Sequence, residues 1–118
     1  MSDLVLTLPW PPSVNRYWRT FRGRMLISRD GREYRKAVCA LLGKRLALPG
    51  PLGVEIIAFR PDRRRRDLDN LLKAPLDSLT SAGIWHDDSQ IVRLSIRWSQ
   101  PCDDAAPGGA LLVRISSV

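Results

Sequence analysis

The chain has 118 residues, a formal net charge of +7 and a sequence pI near 10.4. That length suits one domain with its own core, and a hydrophobic content of 44% excludes a disordered chain. A balance this basic points to an anionic partner, most commonly nucleic acid, with a ribosomal-type or merely solubilising surface charge as the alternative.

Residues 4–8 alternate Leu4, Leu6 and Leu8 against Val5 and Thr7, the period of a half-buried strand. Pro9-Trp10-Pro11-Pro12-Ser13 ends it, because proline offers no ladder donor. Residues 14–24 read as a basic, aromatic loop with Asn15, Arg16, Tyr17, Trp18, Arg19, Phe21, Arg22 and Arg24. Its Arg16-Tyr17-Trp18-Arg19 segment has the makings of a platform for unpaired or distorted bases. Equally, Tyr17 and Trp18 are ordinary core. Met25-Leu26-Ile27 suits a short strand, and Ser28 suits a helix cap.

Over residues 29–46, Tyr34, Val38, Leu41, Leu42 and Leu46 recur at helical spacing, which predicts one buried face. Pro49-Gly50-Pro51 stops this helix. Residues 54–59 are apolar on both sides apart from Glu55 and predict a central strand. A second helix follows the arginines, with Leu68, Leu71, Leu72, Leu76 and Leu79 on one face and Gly83 at its end. Pro75 falls inside that pattern, where it should kink the helix or leave one hydrogen bond unmade. Then Val92, Leu94, Ile96 and Trp98 alternate with Arg93, Ser95 and Arg97. Turn-rich residues 101–109 join this strand to a last one at 111–115, and the two read as a long-looped hairpin. The order strand, (strand), helix, strand, helix, strand, strand predicts an α+β fold. It is a single domain over residues 1–118, a mixed β-sheet with two main helices on one face.

Cys39 and Cys102 are far apart in a chain with one histidine, His86, so neither a disulfide framework nor a zinc site is expected. The N-terminus has no signal-peptide pattern, and no apolar run reaches membrane-spanning length. A reduced, cytoplasmic protein is the expectation.

The chemistry concentrates in Arg63-Arg64-Arg65-Arg66-Asp67-Leu68-Asp69, followed some twenty residues later by Asp87-Asp88. A run of arginines attracts phosphates. Carboxylates two apart share one side of an extended segment and can hold a hard divalent ion such as Mg²⁺. An Asp-x-Asp alone is weak, and its place after the arginines strengthens it. If the strand after Asp87-Asp88 pairs with the 54–59 strand, a third carboxylate can reach the same ion. Lys73 falls one helical turn after Asp69. It is either a stabiliser of charge on the reacting phosphate or a surface partner of Asp69 or Asp77. His86 is either a general base or a structural or surface histidine.

Three blocks together resemble the RusA family of Holliday junction resolvases. They are Leu8-Pro9-Trp10-Pro11-Pro12-Ser13-Val14-Asn15-Arg16-Tyr17, then Pro61-Asp62 with the arginines through Asp67-Leu68-Asp69-Asn70-Leu71-Leu72-Lys73, and Ala82-Gly83-Ile84-Trp85-His86-Asp87-Asp88-Ser89-Gln90-Ile91. The resemblance runs nearly end to end and implies a homodimeric, Mg²⁺-dependent endonuclease, commonly prophage-encoded, that resolves four-way DNA junctions. It implies Asp67, Asp69 and Asp88 as metal ligands and Lys73 as the catalytic lysine, with Asp87 as an additional participant. Mn²⁺ is a substitute for Mg²⁺. Arg63, Arg64, Arg65, Arg66, Arg16, Arg19 and Asn15 are the candidate DNA contacts. Two rivals stand beside it: a module that binds branched DNA without cutting it, and a phosphotransferase using Asp-x-Asp. The second is disfavoured because its acidic pair usually follows an apolar strand directly.

Overall fold

The computed structural model describes residues 3–99 and 108–118. Its elements are β1 (Leu4–Pro9), α1 (Val14–Tyr17), β2 (Trp18–Phe21), β3 (Arg24–Ile27), α2 (Arg29–Leu42), β4 (Leu52–Phe59), α3 (Lys73–Ser81), β5 (Ile91–Trp98) and β6 (Ala110–Ser117). Two short 3₁₀ turns, Leu68–Leu71 and Asp88–Gln90, precede α3 and β5. The class is α+β as expected, with a mixed four-stranded sheet, a hairpin and two main helices. The chain divides into two compact units, one of residues 1–10, 49–68 and 87–118, the other of residues 11–48 and 69–86.

The first unit is the sheet, in order β1-β6-β4-β5. Registers Leu8↔Leu111, Leu111↔Ala58, Val113↔Ile56 and Ile56↔Ile96 put these apolar residues from all four strands on one face. Leu6, Leu8, Val54, Ile56, Ala58, Leu111, Val113 and Ile115 are buried there. Each large aliphatic side chain so removed from water contributes about 1.5–3 kcal/mol. β4 is central, as its two-sided apolar pattern predicts. The expected hairpin of the last two strands is not formed: β6 pairs antiparallel with β1 and β4, and β5 runs parallel to β4 on its other side. The reason is topological. A strand that returns after a helix joins its predecessor in parallel, which leaves β6 to fill the gap between β4 and β1. Most of the 101–109 segment lies outside the described residues.

The second unit holds α1, the β2–β3 hairpin, α2 and α3. Residues 14–24, expected as loop, contain both α1 and β2. Arg22 (φ 51°) and Gly23 (φ 74°) form a two-residue turn with both φ positive, the geometry that suits the twist of a tight hairpin. Ser28 caps α2 by accepting the Gly31 N–H at 3.0 Å. The helix stops at Gly43, whose φ of 64° suits glycine and whose N–H returns to the Cys39 carbonyl at 3.0 Å. It therefore ends before Pro49. Tyr34, Val38 and Leu42 are buried as expected, but Leu41 is 61% and Leu46 94% exposed. Cys39 is a free thiol; Cys102 lies outside the described residues.

The second predicted helix is in two pieces. Leu68–Leu71 is a 3₁₀ turn, and the α-helix begins afresh at Lys73. Pro75 is then in the first turn, where the N–H has no carbonyl to reach, so the proline neither kinks the helix nor costs a bond. Leu71 and Leu79 are buried, and α3 packs against α2. Trp85 is buried beyond Gly83, with its indole N–H donating to Thr80 Oγ1 at 2.8 Å.

Candidate active site

In the sheet unit, β4 ends at Phe59 and the chain turns through Pro61-Asp62 into the arginines. Asp62 organises this turn. Its Oδ1 accepts the Arg64 backbone N–H at 2.8 Å and Arg66 Nη1 at 2.7 Å, while Oδ2 accepts Arg66 Nη2 at 3.0 Å. The forked guanidinium matches the carboxylate bidentately. These bonds, led by that from Arg66, pull the Asp62 carboxyl down to about 2. The Arg66 guanidinium also lies 5.5 Å from the Trp10 ring centre, Trp10 stacks on Trp98 at 6.3 Å, and Arg60 covers Trp98 at 4.2 Å. Of the four arginines, Arg66 is thus half-buried and fixed, whereas Arg63, Arg64 and Arg65 are exposed.

Asp67 follows in irregular, exposed chain. The extended entry expected for Asp67 and Asp69 is absent, because Asp69 already sits in the 3₁₀ turn. Three residues per turn do not repeat side-chain direction at i and i+2. Both aspartates are exposed, and among the described residues neither carboxylate has a hydrogen bond or ion pair.

Asp88 and Asp87 precede β5. Asp87 accepts the Ser89 N–H at 3.1 Å, and Gln90 Oε1 accepts the Asp87 N–H at 3.1 Å, closing a capping box. Gln90 Nε2 reaches the Gly50 carbonyl at 2.9 Å and ties this turn to the chain entering β4. The hydrogen bond from the Ser89 backbone N–H holds the Asp87 carboxyl below the usual range. β5 does pair beside β4, the condition set for Asp88 to contribute, but in parallel, so Ile91 stands opposite Leu52 where β4 begins. His86 is exposed.

In the helical unit, Lys73 is the first residue of α3, so it shares no helix with Asp69. Its ammonium pairs instead with Asp77 Oδ1 at 3.2 Å, one turn on, and lies 5.3 Å from the Trp18 ring centre. Asp77 Oδ2 accepts the Tyr17 hydroxyl at 2.9 Å. That hydroxyl accepts Arg35 Nη2 at 3.1 Å, and Arg35 Nη2 is 3.8 Å from Asp77 itself. Burial, then the Asp77 carboxylate against the opposing pull of Arg35, leaves the Tyr17 phenol raised. Tyr17 is fully buried, which selects its core reading. Asn15, Arg16 and Arg19 are exposed, and Arg16 pairs with Asp30 at 3.5 Å.

Asp67, Asp87, Asp88 and the four arginines therefore belong to one unit, Asp69 and Lys73 to the other. Among the described residues, no three His, Cys, Asp or Glu side chains within either unit gather in a metal-binding group. The donor chemistry of Asp67, Asp69 and Asp88 nonetheless fits a hard divalent ion. They are exposed carboxylates, and such ions take a few carboxylates plus water and phosphate. Asp87 is engaged as a cap. Sequence reasoning missed Asp62, Trp10 and Trp98 as organisers. Asp62, four residues before Arg66, was a legible signal; the Trp10–Trp98 stack, 88 residues apart, was not.

A family model described as Endodeoxyribonuclease RusA matches residues 9–111 of this chain, a stretch that includes every residue named above as a candidate. The chain is similar to proteins described as crossover junction endodeoxyribonuclease RusA. That of Escherichia coli (strain K12) is 48% identical over 95 residues, covering 78% of this chain and 79% of the relative. Those of Shigella sonnei (strain Ss046) and Enterobacteria phage 82 are 50% and 52% identical, with the same coverage.

Proposed function

The chain belongs to the RusA family of endodeoxyribonucleases, and we propose that it resolves four-way DNA junctions by paired, Mg²⁺-dependent nicks. The family-model match across residues 9–111, with Asp67, Asp69, Asp88 and Lys73 inside it, carries this reading. Asp67, Asp69 and Asp88 would hold the metal, with Mn²⁺ as a substitute. The chemistry supplied by such an ion is Lewis acidity towards the phosphate and a lowered pKa for bound water.

The rest falls to the chain's own groups. Lys73, held by Asp77 over the Trp18 ring, offers a fixed positive charge for the pentacoordinate phosphate or the leaving oxygen. Arg63, Arg64 and Arg65 stand exposed to hold flanking phosphates, and Arg66 braces their loop. DNA affinity then falls steeply with salt. A junction has an approximate two-fold axis and needs two opposed cuts, which a two-fold homodimer supplies. No helix among the described residues is long and apolar enough to cross a membrane.

The test is cleavage of an end-labelled synthetic four-way junction in Mg²⁺, beside a linear duplex and an Asp69→Asn variant. Paired symmetric nicks on the junction alone, abolished in the variant, are expected. Tight junction binding without nicks in Mg²⁺ or Mn²⁺ would leave a branched-DNA-binding module instead.

A further inference from the structure

We infer that the tip of the β2–β3 hairpin is a base-stacking element for the branch point of DNA, with Phe21 as the stacking ring. The inference rests on the junction-binding reading above. It replaces the expectation that Tyr17 and Trp18 would do the stacking. Tyr17 is sealed in the core, and Trp18 lies beneath the Lys73 ammonium.

Phe21 is the ring the hairpin does offer. It is 50% exposed at the last position of β2, directly before the Arg22-Gly23 turn. An apolar ring placed there contributes little to the fold. Two guanidiniums flank it, Arg19 at 5.5 Å and Arg22 at 5.2 Å from the ring centre, and Arg24 is its cross-strand partner. Met25, 63% exposed, pairs with Thr20 on the opposite face of the hairpin and leaves the Phe21 face to the ring and its arginines. Residues 16–29 contain no acidic side chain. The charge thus commits the occupant to a polyanion, and a flat ring among arginines offers a π-face to a base while the cations take phosphates. In linear duplex every base is already stacked on both sides, so the face available to Phe21 arises where strands exchange.

The hairpin is also built to present the ring without ordering on contact. Its base is fastened by the Ser28 N–H to the Tyr17 carbonyl at 2.8 Å, by Ser28 Oγ to the Arg16 carbonyl at 2.5 Å, and by Trp18 standing edge-on to Tyr17 at 5.2 Å. Little conformational freedom is left to lose on binding.

The experiment measures binding of a synthetic four-way junction and of a linear duplex in Ca²⁺, for the unmutated protein, Phe21→Ala and Phe21→Trp. Loss of one base stack predicts that Phe21→Ala weakens junction binding roughly tenfold. Duplex binding and the slope of affinity against salt stay unchanged, and Phe21→Trp binds the junction at least as well as the unmutated protein. A 2-aminopurine at the branch point changes fluorescence on binding the unmutated protein and not on binding Phe21→Ala. Equal weakening of junction and duplex, or no weakening, overturns the inference. So does a loss of self-association with DNA binding intact, which would place a second copy at the tip. Junction-selective loss in a protein that never nicks would sustain the stacking role and sink the nuclease reading instead. Because Phe21 is exposed, an unchanged thermal midpoint is expected of both variants and confirms that they fold.

Discussion

Removing the Asp77 carboxylate should uncouple a buried tyrosine from the candidate catalytic lysine, and the size of the effect follows from the contacts. In Asp77→Ala the Tyr17 hydroxyl, buried and donating to a charged acceptor at 2.9 Å, loses its acceptor, at about 1.5–3 kcal/mol. The Lys73 pair at 3.2 Å has side chains 39% and 23% exposed, and Arg35 stands at 3.8 Å. Solvent screens both, so together they add no more than about 1 kcal/mol. The sum, about 2–4 kcal/mol, lowers the melting midpoint of a chain this long by roughly 8–15 °C. Tyr17→Phe alone removes the hydroxyl and costs about 1 kcal/mol. In the Asp77→Ala background it costs close to nothing, because losing the bond from Arg35 at 3.1 Å is offset by removing a buried hydroxyl whose proton no longer has an acceptor. Urea unfolding of the four proteins gives the coupling as a double-mutant cycle, with about 1 kcal/mol expected. Additivity of the two substitutions within about 0.3 kcal/mol would refute the node as described. Cleavage adds a second readout. Asp77→Asn, which keeps the side-chain size, slows junction cleavage about tenfold and does nothing further in a Lys73→Ala background.

Two further outcomes follow from local geometry. Gly31→Ala should destabilise the protein although alanine is the better helix former by about 1 kcal/mol. The new methyl would sit 2.8 Å from both Ile27 Cγ1 and the Tyr17 carbonyl oxygen; a variant as stable as the parent in urea would show that this packing yields. The Asp62–Arg66 clasp has a folded carboxyl lowered to about 2, below its ordinary 3.8. The stabilisation is therefore complete above about pH 4 and is lost as pH falls towards 2. Carbon-13 titration of Asp62 should give a midpoint near 2, and one near 4 would mean that the clasp does not hold in solution.

Strands were the most legible part of this chain, because burial on one face imposes a period of two that Leu4, Leu6 and Leu8 display directly. Helix ends were less so. Leu46 fits the apolar spacing of α2, yet Gly43 stops the helix before it and leaves it in water, while Leu41, inside the helix, falls outside the face formed by Tyr34, Val38 and Leu42. Strand order was legible only in part: the two-sided apolar pattern placed β4 inside the sheet, but adjacency in sequence suggested a β5–β6 hairpin, while β6 is in fact shared by β4 and β1. At the candidate site, residue types and spacing offered Asp67 and Asp69 with one of Asp87 and Asp88, and left Lys73 either beside the phosphate or paired on the surface; only the resemblance to the RusA family singled out Asp88 and Lys73. What surrounds them was hidden. The Tyr17–Asp77 bond joins residues 60 apart, and local pattern carries no signal for such a contact. Asp62 and Arg66, four apart, did carry a short-range signal of the clasp they form.

The strand order has a consequence for how the protein is made. β1 emerges first from the ribosome, but its sheet partner β6 spans Ala110–Ser117, and β4 likewise waits for β5 and β6. At about 5–20 residues per second, the first strand is left without its ladder for several seconds. All of the helical unit, by contrast, has been synthesised once residue 86 is added. Vectorial synthesis thus separates the two units in time, and nascent chains halted before residue 110 would hold Leu4, Leu6 and Leu8 unpaired, as targets for chaperones.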